Sequence, residues 1–460
     1  MRRKRRGIAR IVAGGVLVLG STGAFAQTLE SALARSYVNN PTLNAQRATS
    51  RVIDENVPRA LSGYRPTVTG NASIGATQLE VTPPIGPRQN AGLTPTSVGV
   101  TATQTLYNGL RTGNSVRTAE SQVGQARENL RVTEQSVLLA AVTAYMNVLR
   151  DQALVELQRQ NLQALGEQLR VTRDRFNVGE VTRTDTALAE AASAGARSAL
   201  IQAQSNLNTS RATYRQTIGE DPPTRLAPGR PADYLLPKSY DAALGVALQR
   251  NPNILAAEYG VDVALLQVKF AEGGLLPTLS AQGSLNRATD VSLLAARQNT
   301  ATALLNLSVP IYQGGLEYAT VRQAKENVGL FRMQVDVSRD QVRASVLQFW
   351  GALEAARAGL EAANTQVSAQ TIALNGISEE WRVGQRTLLD VLNGRALLVT
   401  AQSGLVTAQR DRVVASYSLL SAVGRLDMET LGLSKAVYQP EEHYLQVRDS
   451  WIGLRTPSGQ

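Results

Sequence analysis

Two different periods of hydrophobic placement alternate along this chain. Val68, Gly70, Ala72, Ile74 and Ala76 alternate with Thr67, Thr69, Asn71, Ser73 and Thr77. A return segment sets Val98, Val100, Ala102 and Leu106 against Ser97, Thr101, Thr103 and Thr105. Period two, apolar on one face and Thr/Ser/Asn on the other, predicts a pair of strands. Beyond residue 110 the spacing becomes three and four, through Val116, Ala119, Val123, Ala126, Leu130, Thr133, Val137, Ala140 and Ala144. That is the heptad seam of a long helix. Its residues are small to medium, which lets many helices lie side by side, whereas a two-stranded zipper carries more leucine.

The same order of elements occurs twice. Asn40-Pro41 returns as Asn251-Pro252 and Pro66 as Pro277, 211 residues on; Leu106-Tyr107-Asn108-Gly109 returns as Ile311-Tyr312-Gln313-Gly314, 205 on. Arg175-Phe176-Asn177-Val178-Gly179 returns as Glu380-Trp381-Arg382-Val383-Gly384, and Gly219 as Gly424, again 205 on. The drop of six places a shorter loop between the strands of the second copy. Leu279, Ala281 and Leu285, then Ala301, Ala303, Leu305, Leu307 and Val309, repeat the strand alternation. Val321, Ala324, Val328, Phe331, Val335, Ser338, Val342, Ser345 and Phe349 repeat the seam. Five matches in register mark an internal duplication.

Proline placement agrees. The gaps from Pro95 to Pro222 and from Pro310 to Pro440 leave proline-free tracts of 126 and 129 residues. Long helices can run there, because an interior proline costs about 3 kcal/mol. The predicted division is a signal peptide at 1–26, a first repeat at 27–219 and a linker at 220–240, then a second repeat at 241–424 and a tail at 425–460. The first repeat comprises a short helix, a strand pair over 64–107 and a helical hairpin over 110–219; the second comprises a short helix, a strand pair over 277–311 and a hairpin over 315–424. A helix from Leu110 to Arg175 would be about 100 Å long and its return from Asp185 to Ile218 about 50 Å, so the repeat's N-terminal helix would stack on the return helix to complete the rod.

Arg2 to Arg6, the apolar run Ile11 to Leu19 and Ala24-Phe25-Ala26 predict secretion with cleavage after residue 26. The apolar run is short for a membrane anchor. Removing its six basic residues takes the net charge from +10 to 10 − 6 = +4, which gives no case for nucleic acid. No later stretch would make a transmembrane helix, so any membrane is met by strands. The alternation alone fits a half-buried strand of a soluble sandwich equally well; the export signal and the 5% aromatic content favour the membrane. Two copies then supply four strands, which cannot close, and an open sheet edge is intolerable in hydrocarbon. A dimer gives eight strands and a filled lumen; a trimer gives twelve and room for a pore.

No chemistry of an enzyme is visible. Cysteine is absent and the one histidine is His443, which removes thiolate and multi-histidine metal sites and any histidine-based triad. No Walker loop, dinucleotide fingerprint or zinc motif occurs, and neither a cofactor nor a metal is expected.

The signal peptide, the duplicated order, Leu106-Tyr107-Asn108-Gly109 and Ile311-Tyr312-Gln313-Gly314-Gly315 at the strand–helix joins, and the two Val-Gly hairpin turns resemble the TolC family of outer-membrane efflux proteins. The resemblance spans roughly residues 27–430. It implies an α+β, mostly helical fold and a homotrimer with a twelve-stranded barrel in outer-membrane lipid and a twelve-helix periplasmic tunnel. It also implies docking to a periplasmic adaptor and an inner-membrane pump of the ABC or RND type, for drug efflux or type I protein secretion. A periplasmic adaptor and a trimeric surface adhesin are the competing readings; the first needs a single hairpin flanked by soluble β-domains, the second one strand region at a terminus.

Matched motif to motif, the resemblance assigns a periplasmic gate to Thr184, Asp185, Trp381 and Arg386. Trp381 stands where a tyrosine is expected, and an indole donates but does not accept. The constriction is assigned to Asp390 and Asn393; the family's paired aspartates become one, giving three carboxylates per trimer in place of six. Independently, Thr182/Asp185 and Thr387/Asp390 have the spacing of a capping box. At the joins, Tyr107 and Tyr312 read as packed turn aromatics, and Gly109, Gly314 and Gly315 as bends from strand into helix. Arg127 and Arg131 read as a solvated face.

Overall fold

The computed structural model describes residues 27–82, 84–292, 295–433, 437–457 and 459; the signal peptide predicted at 1–26 lies outside them. Where one short helix was expected there are three: α1 (Leu29–Asn39), α2 (Pro41–Asp54) and α3 (Asn56–Leu61). Pro41 sits at the first turn of α2, and Asn40, held extended before it, caps α2 through Oδ1 to the amides of Thr42 and Leu43. The strands β1 (Thr67–Ile74) and β4 (Thr96–Asn108) pair antiparallel. The loop between them carries a hairpin of its own, β2 (Thr77–Val81) with β3 (Gln89–Leu93), where the sequence pattern predicts only a loop.

The long helix α4 (Arg111–Asn177) turns into α5 (Arg183–Ile218). The second copy repeats the order: α6 (Tyr240–Arg250), α7 (Pro252–Glu272), β5 (Thr278–Ser292), β6 (Ala295–Ser308), α8 (Leu316–Arg382) and α9 (Leu388–Ala422). A last helix, α10 (Pro440–Val447), follows. Asn251 caps α7 as Asn40 caps α2. α4 and α8 have 67 residues each, about 100 Å.

The four long strands form one antiparallel sheet in the order β1-β4-β5-β6, so the copies join through β4 and β5. β1 and β6 each keep one open edge. At the opposite end the hairpins α4/α5 and α8/α9 pack side by side through α4 and α9. The predicted seam of α4 is buried at Val116, Ala119, Val123, Ala126, Leu130, Val137 and Ala144. The seam of α8 is fully buried only at Val321, Val328, Val335 and Val342.

The largest hydrophobic cluster lies at the waist, where Tyr145 of α4, Tyr214 of α5, Leu33 of α1 and Leu420 of α9 are wholly covered. The 220–240 linker crosses here, with Ala227 N donating to Gln27 O at 2.9 Å and Arg412 paired with Asp233. The tail covers the groove between α2 and α4, which corrects the solvated reading of Arg127. Its guanidinium lies 5.4 Å from the Tyr444 ring centroid and 3.3 Å from Glu441. His443 Nδ1 meets the buried carboxylate of Asp54 at 2.9 Å, and Arg65 stacks on Trp451 at 4.5 Å. Among the described residues no helix is long and apolar enough to cross a membrane.

Candidate functional site at the helical tip and the joins

Each hairpin turns by the same local chemistry. α4 ends at Val178 and Gly179 (φ 80°), with Gly179 N donating to Phe176 O at 3.0 Å and Glu180 N to Arg175 O at 2.9 Å. α8 ends at Val383 and Gly384 (φ 83°), with bonds to Trp381 O at 3.0 Å and from Gln385 N to Glu380 O at 2.8 Å. These paired bonds are a Schellman motif, and its left-handed residue is glycine because a Cβ there is strained.

The return helices then start on capping boxes. Thr182 Oγ1 accepts from Asp185 N at 3.2 Å while Asp185 Oδ2 accepts from Thr182 N at 3.0 Å. Thr387 and Asp390 repeat this at 3.3 and 3.0 Å. Hydrogen bonds from the Thr387 hydroxyl and amide, with a smaller contribution from Arg386, hold Asp390 below the usual carboxylate range, so it is anionic at neutral pH.

The structure does not bring the four gate residues together within one chain. Thr184 is exposed, and Asp185 is engaged by Thr182. Arg386 donates from Nε to Glu380 at 2.8 Å, and that bond raises its pKa. Trp381 instead receives Arg175 from the other hairpin, 4.9 Å from its ring centroid. Nothing in the sequence marks Arg175 for this role: its counterpart in the second copy is Glu380, and the two share no chemistry. Asp390 and the exposed Asn393 stand one turn apart on α9.

At the joins, Gly109 (φ 67°) and Leu110 (φ 64°) match Gly314 (φ 63°) and Gly315 (φ 85°). A Cβ on Gly109 would run into the carbonyl of Gly273, and one on Gly273 into that of Gly109. This is a reciprocal backbone contact between the two copies. Gly314 and Gly315 face open space. Tyr312 is 80% exposed, so within one chain it is not the packed aromatic expected. Residues 309–312, which follow β6, lie beside the open edge of the sheet, which accounts for both observations.

The family model for outer membrane efflux proteins matches residues 32–220 and 243–425. The chain is 44% identical over 458 residues to the outer membrane efflux protein BepC of Brucella suis biovar 1, covering 98% of each. It is 27% identical over 418 residues to the outer membrane protein TolC of Vibrio cholerae, covering 88% of this chain and 92% of that one. In fold it resembles the Campylobacter jejuni CmeC outer membrane channel, with a TM-score of 0.76 at 16% identity over 92% of this chain and 89% of the other.

Proposed function

This chain belongs to the outer membrane efflux protein family, and on that premise we propose that three copies close into a duct gated at its periplasmic tip. The protein is an outer-membrane channel for efflux or secretion that extends into the periplasm. The family is one of channels, and the chain acts as a conduit.

The open edges of the chain support the trimer. Three four-stranded sheets make twelve strands, and joining β6 to β1 of the next copy leaves no backbone unpaired in lipid. The helices present matching edges. On α5, Ala191, Ala194, Ser198, Ile201, Ser205 and Asn208 form an exposed three-four seam; on α8, Ala355, Ala358, Ala362, Thr365, Ala369 and Ile372 form another. Both are rich in small residues, and α5 and α8 flank the arc of helices on opposite sides. Side-by-side closure covers both seams.

Closure also sets the start of α5 beside the end of α8 of a neighbour. Thr184 and Asp185 of one copy then meet Trp381 and Arg386 of the next, and the gate opens when Arg386 exchanges partners between Asp185 and its own Glu380. Asp390 and Asn393 line the constriction. The turns' exposed Val178 and Val383 offer equivalent docking points to a periplasmic adaptor, which links the duct to an inner-membrane pump of the ABC or RND type.

The test is biochemical. Purified from outer-membrane fractions, the protein runs as a heat-sensitive trimer and forms steady cation-selective pores in planar bilayers. A monomeric, soluble periplasmic species that forms no pores overturns the reading.

A further inference from the structure

The face of the sheet that carries the apolar residues changes character within two rows. Reading across β4, β5 and β6, the pairings set Ala102 beside Gly283 and Ala303, and then Val100 beside Leu285 and Ala301. The next row is Val98, Arg287 and Asn299, and the one after it Thr96, Thr289 and Arg297. A shallow groove runs up this face in two overlapping stretches, about 430 Å³ over the lower rows and about 380 Å³ where Arg287 and Asn299 close it. Its floor is made by Gly283, Ala301 and Ala303, whose small side chains leave the space.

Arg287 and Arg297 are both exposed, and among the described residues neither is paired with a carboxylate. Asp290, the nearest acid along β5, is turned away at φ 56° and accepts from the Thr94 amide at 2.6 Å and hydroxyl at 3.2 Å. A guanidinium on the lipid side of a membrane strand is costly at mid-depth and tolerated at the interface. The two arginines therefore mark where hydrocarbon gives way to headgroups, at the end of the strands away from the helices. They are diagonal neighbours on one face, roughly 7–8 Å apart at the backbone, near enough for their side chains to converge on one anion.

We propose that this groove and its two arginines bind a phosphate-bearing lipid of the outer leaflet. An acyl chain lies over Gly283, Ala301 and Ala303, and the headgroup phosphate is gripped by Arg287 and Arg297. Guanidinium groups suit this because their forked donors match two phosphate oxygens at once. Asn299 adds an amide donor, and the row of Thr96 and Thr289 brings no negative charge. The proposal rests on the barrel reading above, with the helices in the periplasm.

The experiment uses the full mature protein and the double variant R287Q/R297Q, both first shown to conduct in planar bilayers, which tests the channel reading separately. Each is incubated in detergent with diphosphorylated lipid A or with the same lipid stripped of phosphate, and retention is read by native mass spectrometry. The wild type retains the phosphorylated lipid at least about tenfold better than the double variant does, and at least about tenfold better than it retains the stripped lipid. R287K/R297K, which keeps charge without the fork, falls between. Equal retention by wild type and R287Q/R297Q overturns the site. Equal retention of both lipids by the wild type overturns the phosphate contact. Full displacement by an equal concentration of inorganic phosphate overturns the lipid assignment in favour of a free-phosphate site.

Discussion

Asn40 donates from Nδ2 to the carbonyl of Thr217 at 2.9 Å, and Asn251 repeats this bond to Ala422 at 2.9 Å in the second copy. The same side chains cap α2 and α7 through Oδ1. One amide thus fastens the end of each return helix to the start of the next rod segment, and both asparagines are buried.

Replacing Asn40 tests the two halves of this joint separately. N40A loses the cap and one of the two donors to the Thr217 carbonyl, the Ser36 hydroxyl keeping the other at 2.9 Å, and it lowers stability by about 1 kcal/mol. N40S keeps a side-chain acceptor that caps α2 and loses the donor to Thr217, so it falls about midway. Unfolding midpoints in detergent measure both; if N40A matches wild type, the joint does not bear on stability.

The doubled Asn-Pro was legible in the sequence, as were the capping boxes, because both depend on residues within four positions of one another. The contacts that escaped are long-range. Arg127 meets Glu441 and Tyr444 more than 300 positions away, in a tail with no periodicity to reveal its docking. Arg175 reaches Trp381 across two hairpins whose matching positions differ in charge. The β2–β3 hairpin escaped because Pro83, Pro84, Gly86 and Pro87 between its strands read as plain loop. Thr184 and Arg386 stand out by resemblance alone; within the chain Thr184 is exposed and Arg386 pairs with Glu380 of its own turn.

Leu110 is a natural strain site. It is a branched residue at φ 64° where the second copy has Gly315 at 85°, and its side chain is largely exposed, so little packing offsets the cost. L110G raises stability by about 1 kcal/mol. G109A acts oppositely and more strongly, since its methyl meets the Gly273 backbone. A thermal melt in which the two variants shift the same way would contradict this.

Glu134 gives the waist a pH dependence. Burial pushes its pKa from 4.5 up to about 7, opposed by the Met428 amide that donates to it at 3.2 Å. The folded state therefore binds the proton more tightly than the unfolded one, and between pH 4.5 and 7 stability falls as pH rises, by about 3 kcal/mol in all. E134Q keeps an acceptor for Met428 and removes the charge. Its stability falls less steeply across that window, since only the carboxyls of Asp54 and Glu128 still carry pKa values raised by burial, and it exceeds wild type at pH 8. Parallel pH profiles for the two proteins would reject Glu134 as the source.

The constriction makes a prediction with two signs. Asp390 stays ionised in mild acid because Thr387 bonds its carboxylate. If three copies bring Asp390 to the constriction, as proposed above, the ring of carboxylates concentrates cations. D390A weakens cation selectivity and divalent block in planar bilayers, while N393D, which restores a second carboxylate one turn on, strengthens both. Selectivity indifferent to either change would remove these residues from the conduction path.

The duplication predicts the register between protomers. Inside the chain β4 pairs with β5 so that Thr103 lies opposite Gln282 and Val100 opposite Leu285. Moving β4 on by 205 residues and β5 back by 211 carries Thr103 to Ser308 and Gln282 to Asn71, and Val100 to Leu305 and Leu285 to Ile74. If the boundary between protomers repeats the boundary between copies, Ser308 of β6 faces Asn71 of β1 in the neighbouring protomer. The chain contains no cysteine, so N71C/S308C introduces one defined pair. Mild oxidation then yields disulfide-linked dimers and trimers on non-reducing gels, and either single variant yields none. A slip of one residue turns every side chain to the other face of the sheet, so N71C/L307C, one position out of register, stays monomeric on the same gel. Cross-linking of that shifted pair as fast as N71C/S308C would show that the copies meet in another register.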